Sequence, residues 1–186
     1  MTRPPDLDQR HAALVAALER YPGDDPVRTR MLTLTAASPR PCTRSLFTPG
    51  HFTASGFVMS PDRAAVLLIE HRRLGRWLQP GGHIDPSDPS PEAAARREIA
   101  EETGVADLRL LVPGLFDLDI HPIPPRTDEP AHEHFDLRFA FVARSGDLVP
   151  DAEVADARWV PLDGLDPYEL DLSTRRAIDR LASFAA

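Results

Sequence analysis

The stretch "GGHIDPSDPSPEAAARREIAEETGV", Gly81 to Val105, constrains the fold more than any other part of the chain. It joins a glycine pair and a Pro/Ser/Asp-rich loop to a helix that carries its own boundaries. Ser90 is a good N-cap, Pro91 suits the first helical position, Glu92 complements the positive helix end, and Gly104 is a natural C-terminal stop. Residues three and four apart share a helix face. Glu98, Glu101 and Glu102 therefore lie along one strip, leaving Ala94, Ile99 and Val105 for packing. Like charges in one strip repel, so the pattern points to a positive partner. Hard divalent cations take such oxygen clusters, Mg²⁺ in particular combining a few carboxylates with water and substrate phosphates. The alternative is a solvated helix face on which Arg96 and Arg97 partly neutralise the glutamates.

Strand patterns flank this helix on both sides. Upstream, "HFTASGFVMS" and "AAVLLIEHR" read as two strands joined by the turn "SPDR", and "GRWLQPGG" as a short strand entering a glycine turn. Downstream, "LRLLVPGLFDLDIH" and "HEHFDLRFAFVAR" are strand-like and separated by the Pro-rich loop "PIPPRTDEPA". A short strand "ARWVPL" and a helix around Thr174 to Phe184 follow. This order predicts an α/β fold, a mixed sheet with helices packed on it. Before the first strand, "LDQRHAALVAALERY" places Leu7, His11, Leu14, Val15 and Leu18 near one helical face, with Pro22-Gly23 as the stop, and a second short helix covers Asp25 to Ala37. The expected division is a helical N-terminal extension over residues 1–48 and a main domain over residues 49–186.

Composition narrows the function classes. With 186 residues the chain can bury one sizeable core, and a formal charge of -8 argues against duplex nucleic acid as a partner. Every Lys/Arg position is arginine, which excludes a Schiff-base lysine and a P-loop lysine. The lone Cys42 cannot form an internal disulfide, and no stretch approaches the roughly 18 apolar residues of a membrane span. A cytoplasmic protein without membrane contact is the expectation. A homodimer that exchanges the N-terminal helices is one arrangement, and helices packed on their own sheet the other.

With the glycine pair and loop included, "PGGHID...REIAEETGV" closely resembles the signature of the Nudix hydrolase superfamily, the MutT-like pyrophosphohydrolases. That signature runs from a Gly to an acidic residue and then Arg-Glu-aliphatic-any-Glu-Glu-any-Gly-aliphatic. Arg97, Glu98, Ile99, Glu101, Glu102, Gly104 and Val105 fill its second half without a departure. The resemblance implies an α/β/α sandwich with a mixed sheet, and hydrolysis of a diphosphate bond in a nucleoside diphosphate linked to another group, such as an NDP-sugar, ADP-ribose or an NTP. It also implies Mg²⁺ or Mn²⁺ held by Glu98, Glu101 and Glu102 with the carbonyl of Gly81, and Arg97 bracing the loop against an acidic residue. Counting from Gly82, that acidic position reaches Asp88 where the family usually has Glu, with eight rather than seven residues before Arg97; counted back from the helix it falls on Pro89. A one-residue insertion is expected, with Asp88 or Asp85 as the partner of Arg97. The base is Glu101, Glu102, or Glu153 on a later loop, six residues before Trp159. A non-catalytic Nudix-fold sensor of nucleotides is the alternative, although such proteins usually lose box glutamates.

A second constellation is rich in histidine. "HEHFDLRF" alternates His132, His134, Asp136 and Arg138 on one strand face with Phe135, Leu137 and Phe139 on the other. His51 begins an earlier strand and His83 follows the glycine pair. Isolated positions are similar to type I isopentenyl diphosphate isomerases, whose metal histidines fall at His51 and His83 and whose acidic residues fall near His132 and His134. Their catalytic Cys falls at Gly81, which disfavours isomerase chemistry. Neutral imidazole suits Zn²⁺, Mn²⁺ or Fe²⁺, so His51, His83, His132 and His134 are candidates for a second metal site; the alternative is a set of polar contacts at a pocket rim. Arg72, Arg73, Arg76 and Arg138 are candidates for phosphate, with Asp136 as a further substrate contact, and Phe52 or Trp77 for stacking on a base.

Overall fold

The computed structural model describes residues 7–22, 25–152 and 154–185. In chain order its elements are α1 (Leu7–Arg20), α2 (Pro26–Ala37), β1 (Gly50–Met59), β2 (Ala65–His71), β3 (Arg76–Leu78), β4 (Gly81–His83), α3 (Pro91–Thr103), β5 (Leu108–Leu110), β6 (Asp117–Ile123), β7 (His132–Ala143), β8 (Val154–Pro161) and α4 (Leu172–Ala182). Local chemistry sets the helix ends. Asp25 accepts the amide of Val27 at 2.7 Å, Ser90 Oγ that of Ala93 at 3.2 Å, and Asp171 that of Thr174 at 2.8 Å. Gly104 leaves α3 at φ 77°, a left-handed stop that costs a glycine little.

The sheet is mixed. β1 lies at its centre, parallel to β7 along its whole length, while β2 and β4 pair antiparallel with its other edge. β6 and β5 pair antiparallel with β7 on the far side, and β8 and β3 with β2. All ten residues of β1 are buried because both faces are covered. Phe52, Ala54 and Val58 join Phe135, Leu137, Phe139 and Phe141 under Ala94, Ala95 and Ile99 of α3. The alternate residues Phe57 and Met59 join Ala140 and Val142 under Ala177, Ile178 and Leu181 of α4. Gly56 lets α3 approach, since a Cβ there would stand 2.6 Å from Ile99 Cδ1.

The N-terminal helices belong to the α3 side. Leu14, Leu18, Tyr21, Met31 and Leu34 share one apolar cluster with Phe52 and Phe135, so the helices pack on their own sheet. Leu7, expected on the same face, is 48% exposed. The stretch "LRLLVPGLFDLDIH" is two strands rather than one. Pro113 lacks an amide for the ladder and Gly114 turns at φ 76°, so β5 and β6 reach β7 separately. The strand expected around "ARWVPL" starts earlier, at Val154. No described helix is long and apolar enough to cross a membrane.

Candidate active site

Arg97 joins the glycine loop to α3. Its Nε donates to Asp88 Oδ1 at 3.1 Å and its Nη2 to Oδ2 at 2.9 Å. Nη2 also reaches the His83 carbonyl at 3.0 Å, and Nη1 the carboxylates of Glu98 at 2.9 Å and Glu101 at 2.8 Å. Asp88 Oδ2 in turn accepts the Asp85 amide at 2.8 Å, closing the loop on itself. The Asp85 carboxylate stands 3.8 Å from Arg97 with its side chain 56% exposed. Of the two aspartates open from sequence, Asp88 is the direct partner. Arg10 of α1 braces the same loop from outside, donating to the carbonyls of Asp85 at 2.9 Å and Pro86 at 2.6 Å.

The glutamates lie where the glycine pair gives them room. A Cβ on Gly82 would come within 2.7 Å of the Glu98 carboxyl, and one on Gly81 within 2.4 Å of Ser55 Cβ. The Gly81 amide donates to Glu102 Oε2 at 2.9 Å, which holds that buried carboxylate against β4. Burial pushes the Glu98 carboxyl up, against the opposing pull of Arg97. Glu101 is the most open of the three, its side chain 55% exposed. One partly buried, one buried and one open carboxylate on a single helical strip form an oxygen donor set suited to a hard divalent ion.

Strand register builds the opposite face of the sheet in tiers. Along β6, β7 and β1, His121 pairs with His134 and His134 with His51; Asp119 with Asp136 and Asp136 with Thr53; Asp117 with Arg138 and Arg138 with Ser55. The lower two tiers form a closed network. Arg138 Nε donates to Asp136 at 3.0 Å, and its terminal nitrogens contact Asp117 and Asp119 at 3.1 Å each. Thr53 and Ser55 donate to Asp136 at 3.1 and 2.7 Å, and Ser173 at the start of α4 bridges Arg138 and Asp119 at 2.6 Å each. Arg138 is only 2% exposed and Asp136 3%. The substrate contacts expected of this pair are thus corrected: their charges are spent on one another inside the sheet.

The upper tier gathers imidazoles. His51, His83, His121, His132 and His134 form a chain of ring contacts with centroid separations from 4.9 to 5.5 Å. Burial and the nearby Arg44 charge push His83 down to about 4, and burial among neighbouring histidines pushes His134 to about 2. Burial would lower His121 as well, but Asp119, accepting from its Nδ1 at 2.9 Å, raises it instead. Beside this tier is a cleft of about 270 Å³ lined by Arg44, Arg73, Arg126, Thr127, Asp128 and Glu129.

A comparison with known families then bears on the pinned loop and its glutamates: residues 50–181 match the profile described as the NUDIX domain. The chain belongs to the NUDIX family. It is 32% identical over 154 residues to the "Putative mutator protein MutT4" of Mycobacterium tuberculosis, covering 78% of this chain and 59% of that protein. It is 31% identical over 120 residues to the "Putative 8-oxo-dGTP diphosphatase 3" of the same species, covering 60% and 52%. The chain therefore spans little more than half the length of these curated relatives. Among solved structures, a NUDIX-family hydrolase from Clostridium perfringens aligns with a TM-score of 0.53 at 25% identity, covering 73% of this chain and 95% of that one.

Not every residue singled out from sequence gathers around the NUDIX helix. Arg72 is committed to the carbonyls of Ala152 and Val154, both at 3.1 Å, and exposed Arg76 stands 3.7 Å from Asp171. Phe52 is fully buried and offers no face to a base, which corrects that expectation. Trp77 packs edge-on against Tyr168, with Arg158 over its ring. Glu153 lies outside the described residues. Sequence reasoning missed Arg44, Arg126 and His121. The first two sit in irregular segments with no period to flag them, and His121 becomes legible only through its register opposite His134.

Proposed function

We propose that this chain is a pyrophosphohydrolase that cleaves the diphosphate bond of a nucleoside diphosphate linked to another group, using Mg²⁺ or Mn²⁺. The observation that carries this reading is the Arg97–Asp88 clamp, which holds the glycine loop against the three glutamates of α3. The donor set fits the cation: Glu98 is desolvated beyond what Arg97 compensates, and the carbonyl of Gly81 is the natural backbone ligand to join Glu98, Glu101 and Glu102. When bound, the ion neutralises bridging phosphate oxygens and lowers the pKa of the attacking water.

The chain's own residues do the rest. Arg97 fixes the spacing between loop and helix, so the carboxylates are placed before substrate arrives. Glu102 is oriented by the Gly81 amide. Open Glu101 is the candidate to take the proton from water, with Glu102 and Glu153 as the other two candidates. Phosphate recognition moves from buried Arg138 to the cleft of Arg44, Arg73 and Arg126 at the surface, where Arg44 and Arg126 share the one carboxylate of Glu129 at 3.2 and 3.6 Å.

The test is a panel of NDP-sugars, ADP-ribose, dinucleoside polyphosphates and NTPs, with Mg²⁺ or Mn²⁺, and products identified in ¹⁸O water. Cleavage of at least one class, reduced by orders of magnitude in Glu102→Gln with folding intact, supports the reading. Tight binding of a nucleotide without turnover would make the chain a sensor instead.

A further inference from the structure

We propose that His51, His132 and His134 form a site for a borderline transition metal of the Zn²⁺ class, separate from the carboxylate site on α3. The three residues come from two adjacent strands and one row of register: His51 pairs with His134, and His132 lies one strand repeat further along β7. One ligand nitrogen from each falls within 4.8 Å of the other two. A tetrahedral Zn²⁺ at about 2.0–2.1 Å from each nitrogen would separate them by roughly 3.4 Å, so the rings must close by roughly 1.4 Å at most.

The orientation of the rings favours an ion over a plain histidine cluster. His51 Nδ1 lies 3.1 Å from the Leu46 carbonyl and His132 Nδ1 2.8 Å from that of Pro130. A carbonyl only accepts, so in both rings Nδ1 carries the proton and Nε2 bears the lone pair. His51 is fully buried, and its Nε2 has no hydrogen-bond partner among the described residues. Burying such an acceptor unpaired is unfavourable, because it gives up its hydrogen bond to water and gains none in return. A cation among the lone pairs would remove that cost, and backbone carbonyls holding the far nitrogen are the usual outer layer of a histidine metal site.

The surroundings match the same chemistry. His83 and His134 ring centroids are 5.4 Å apart and those of His83 and His51 5.2 Å, which makes His83 the nearest fourth imidazole. His121, held by Asp119, contacts His134 from β6. Imidazole-rich coordination selects Zn²⁺ and its neighbours over Mg²⁺, which prefers oxygen. The two sites sit on opposite faces of the sheet. They communicate through β4, where the His83 carbonyl accepts from Arg97 while its ring joins the histidines.

The test separates the sites. Chain carrying Glu98→Gln and Glu102→Gln is stripped of metal, dialysed against Zn²⁺, and its metal content measured; Co²⁺ serves as an optical probe. The expected result is one Zn²⁺ per chain, intense visible Co²⁺ bands typical of low-coordinate nitrogen ligation, and a rise in Tm on adding Zn²⁺. His51→Asn and His134→Gln should each weaken Zn²⁺ binding about a hundredfold or more. The proposal fails if the histidine-intact chain takes up no stoichiometric Zn²⁺. It fails equally if uptake persists when His51→Asn and His134→Gln are combined in one chain, or if the Co²⁺ spectrum is that of an oxygen-ligated octahedral ion. Because the first criterion uses the unaltered histidines, it decides even where a variant does not fold.

Discussion

Arg97 and Asp88 meet through two parallel hydrogen bonds of 3.1 and 2.9 Å, across a loop one residue longer than the usual spacing. The Asp88 side chain is 6% exposed, so its replacement leaves part of a desolvated guanidinium without its planar partner. Asp88→Ala is expected to lower unfolding free energy by about 1–3 kcal/mol and to reduce turnover, read by urea denaturation and kinetics on the same preparation. Asp85→Ala should do much less, because the Asp85 contribution to the loop is its backbone amide and carbonyl. Equal effects of the two changes would mean that the loop can exchange its acidic partner.

Gly82 is set by the glutamate above it. A methyl group there would lie 2.7 Å from the Glu98 carboxyl, and the side chain would have to swing off the strip it shares with Glu101 and Glu102. Gly82→Ala should therefore leave a folded chain with turnover reduced on the order of a hundredfold, the cost of misplacing a group by about 1 Å. Circular dichroism and steady-state kinetics check it. Unchanged kcat would place Glu98 outside the reacting geometry.

The box and its caps were readable because they are local. Ser90, Pro91 and Gly104 act within a turn of themselves, and Glu98, Glu101 and Glu102 share a face by helical period alone. Alternation on β7 likewise separates the His/Asp/Arg face from the Phe/Leu face by the strand period alone. What could not be read was how that polar face would be used. Asp117 and Asp119 meet Arg138 only because β6 pairs with β7 in one register, and Ser173 arrives from a helix 35 residues further on. A buried arginine ringed by aspartates and a solvent-facing one awaiting phosphate have the same letter pattern, and long-range pairing decides between them.

That pairing makes Arg138 a structural residue with a testable cost. Its removal would leave Asp117, Asp119 and Asp136 facing one another in the sheet interior without their shared cation. Arg138→Met should destabilise the fold by about 3–5 kcal/mol, the range for breaking a buried ion pair from one side, measured as a shift in urea midpoint at constant slope. A combined change of Arg138 and Asp136 to apolar residues should recover part of that loss, since fewer buried charges are then left unpaired. An additive loss in the double variant would show that the two residues act independently.

Cys42 offers a check on packing between the N-terminal extension and the sheet. It lies against the α3-side core, and burial pushes its thiol up to about 11, with the Arg10 charge opposing only weakly. Burial disfavours the thiolate, so the reactive form is scarce at neutral pH and grows as pH rises. At pH 8 roughly one thiol in a thousand should be ionised, against about a quarter for a free cysteine. Alkylation by iodoacetamide, followed by intact mass, should therefore be slow at pH 8. It should accelerate about tenfold per pH unit up to pH 10, where a free thiol has already levelled off. Rapid labelling at pH 8 in the native chain would mean that the segment between α2 and β1 opens readily. Labelling that becomes fast only in urea would place Cys42 in the same cooperative unit as the sheet.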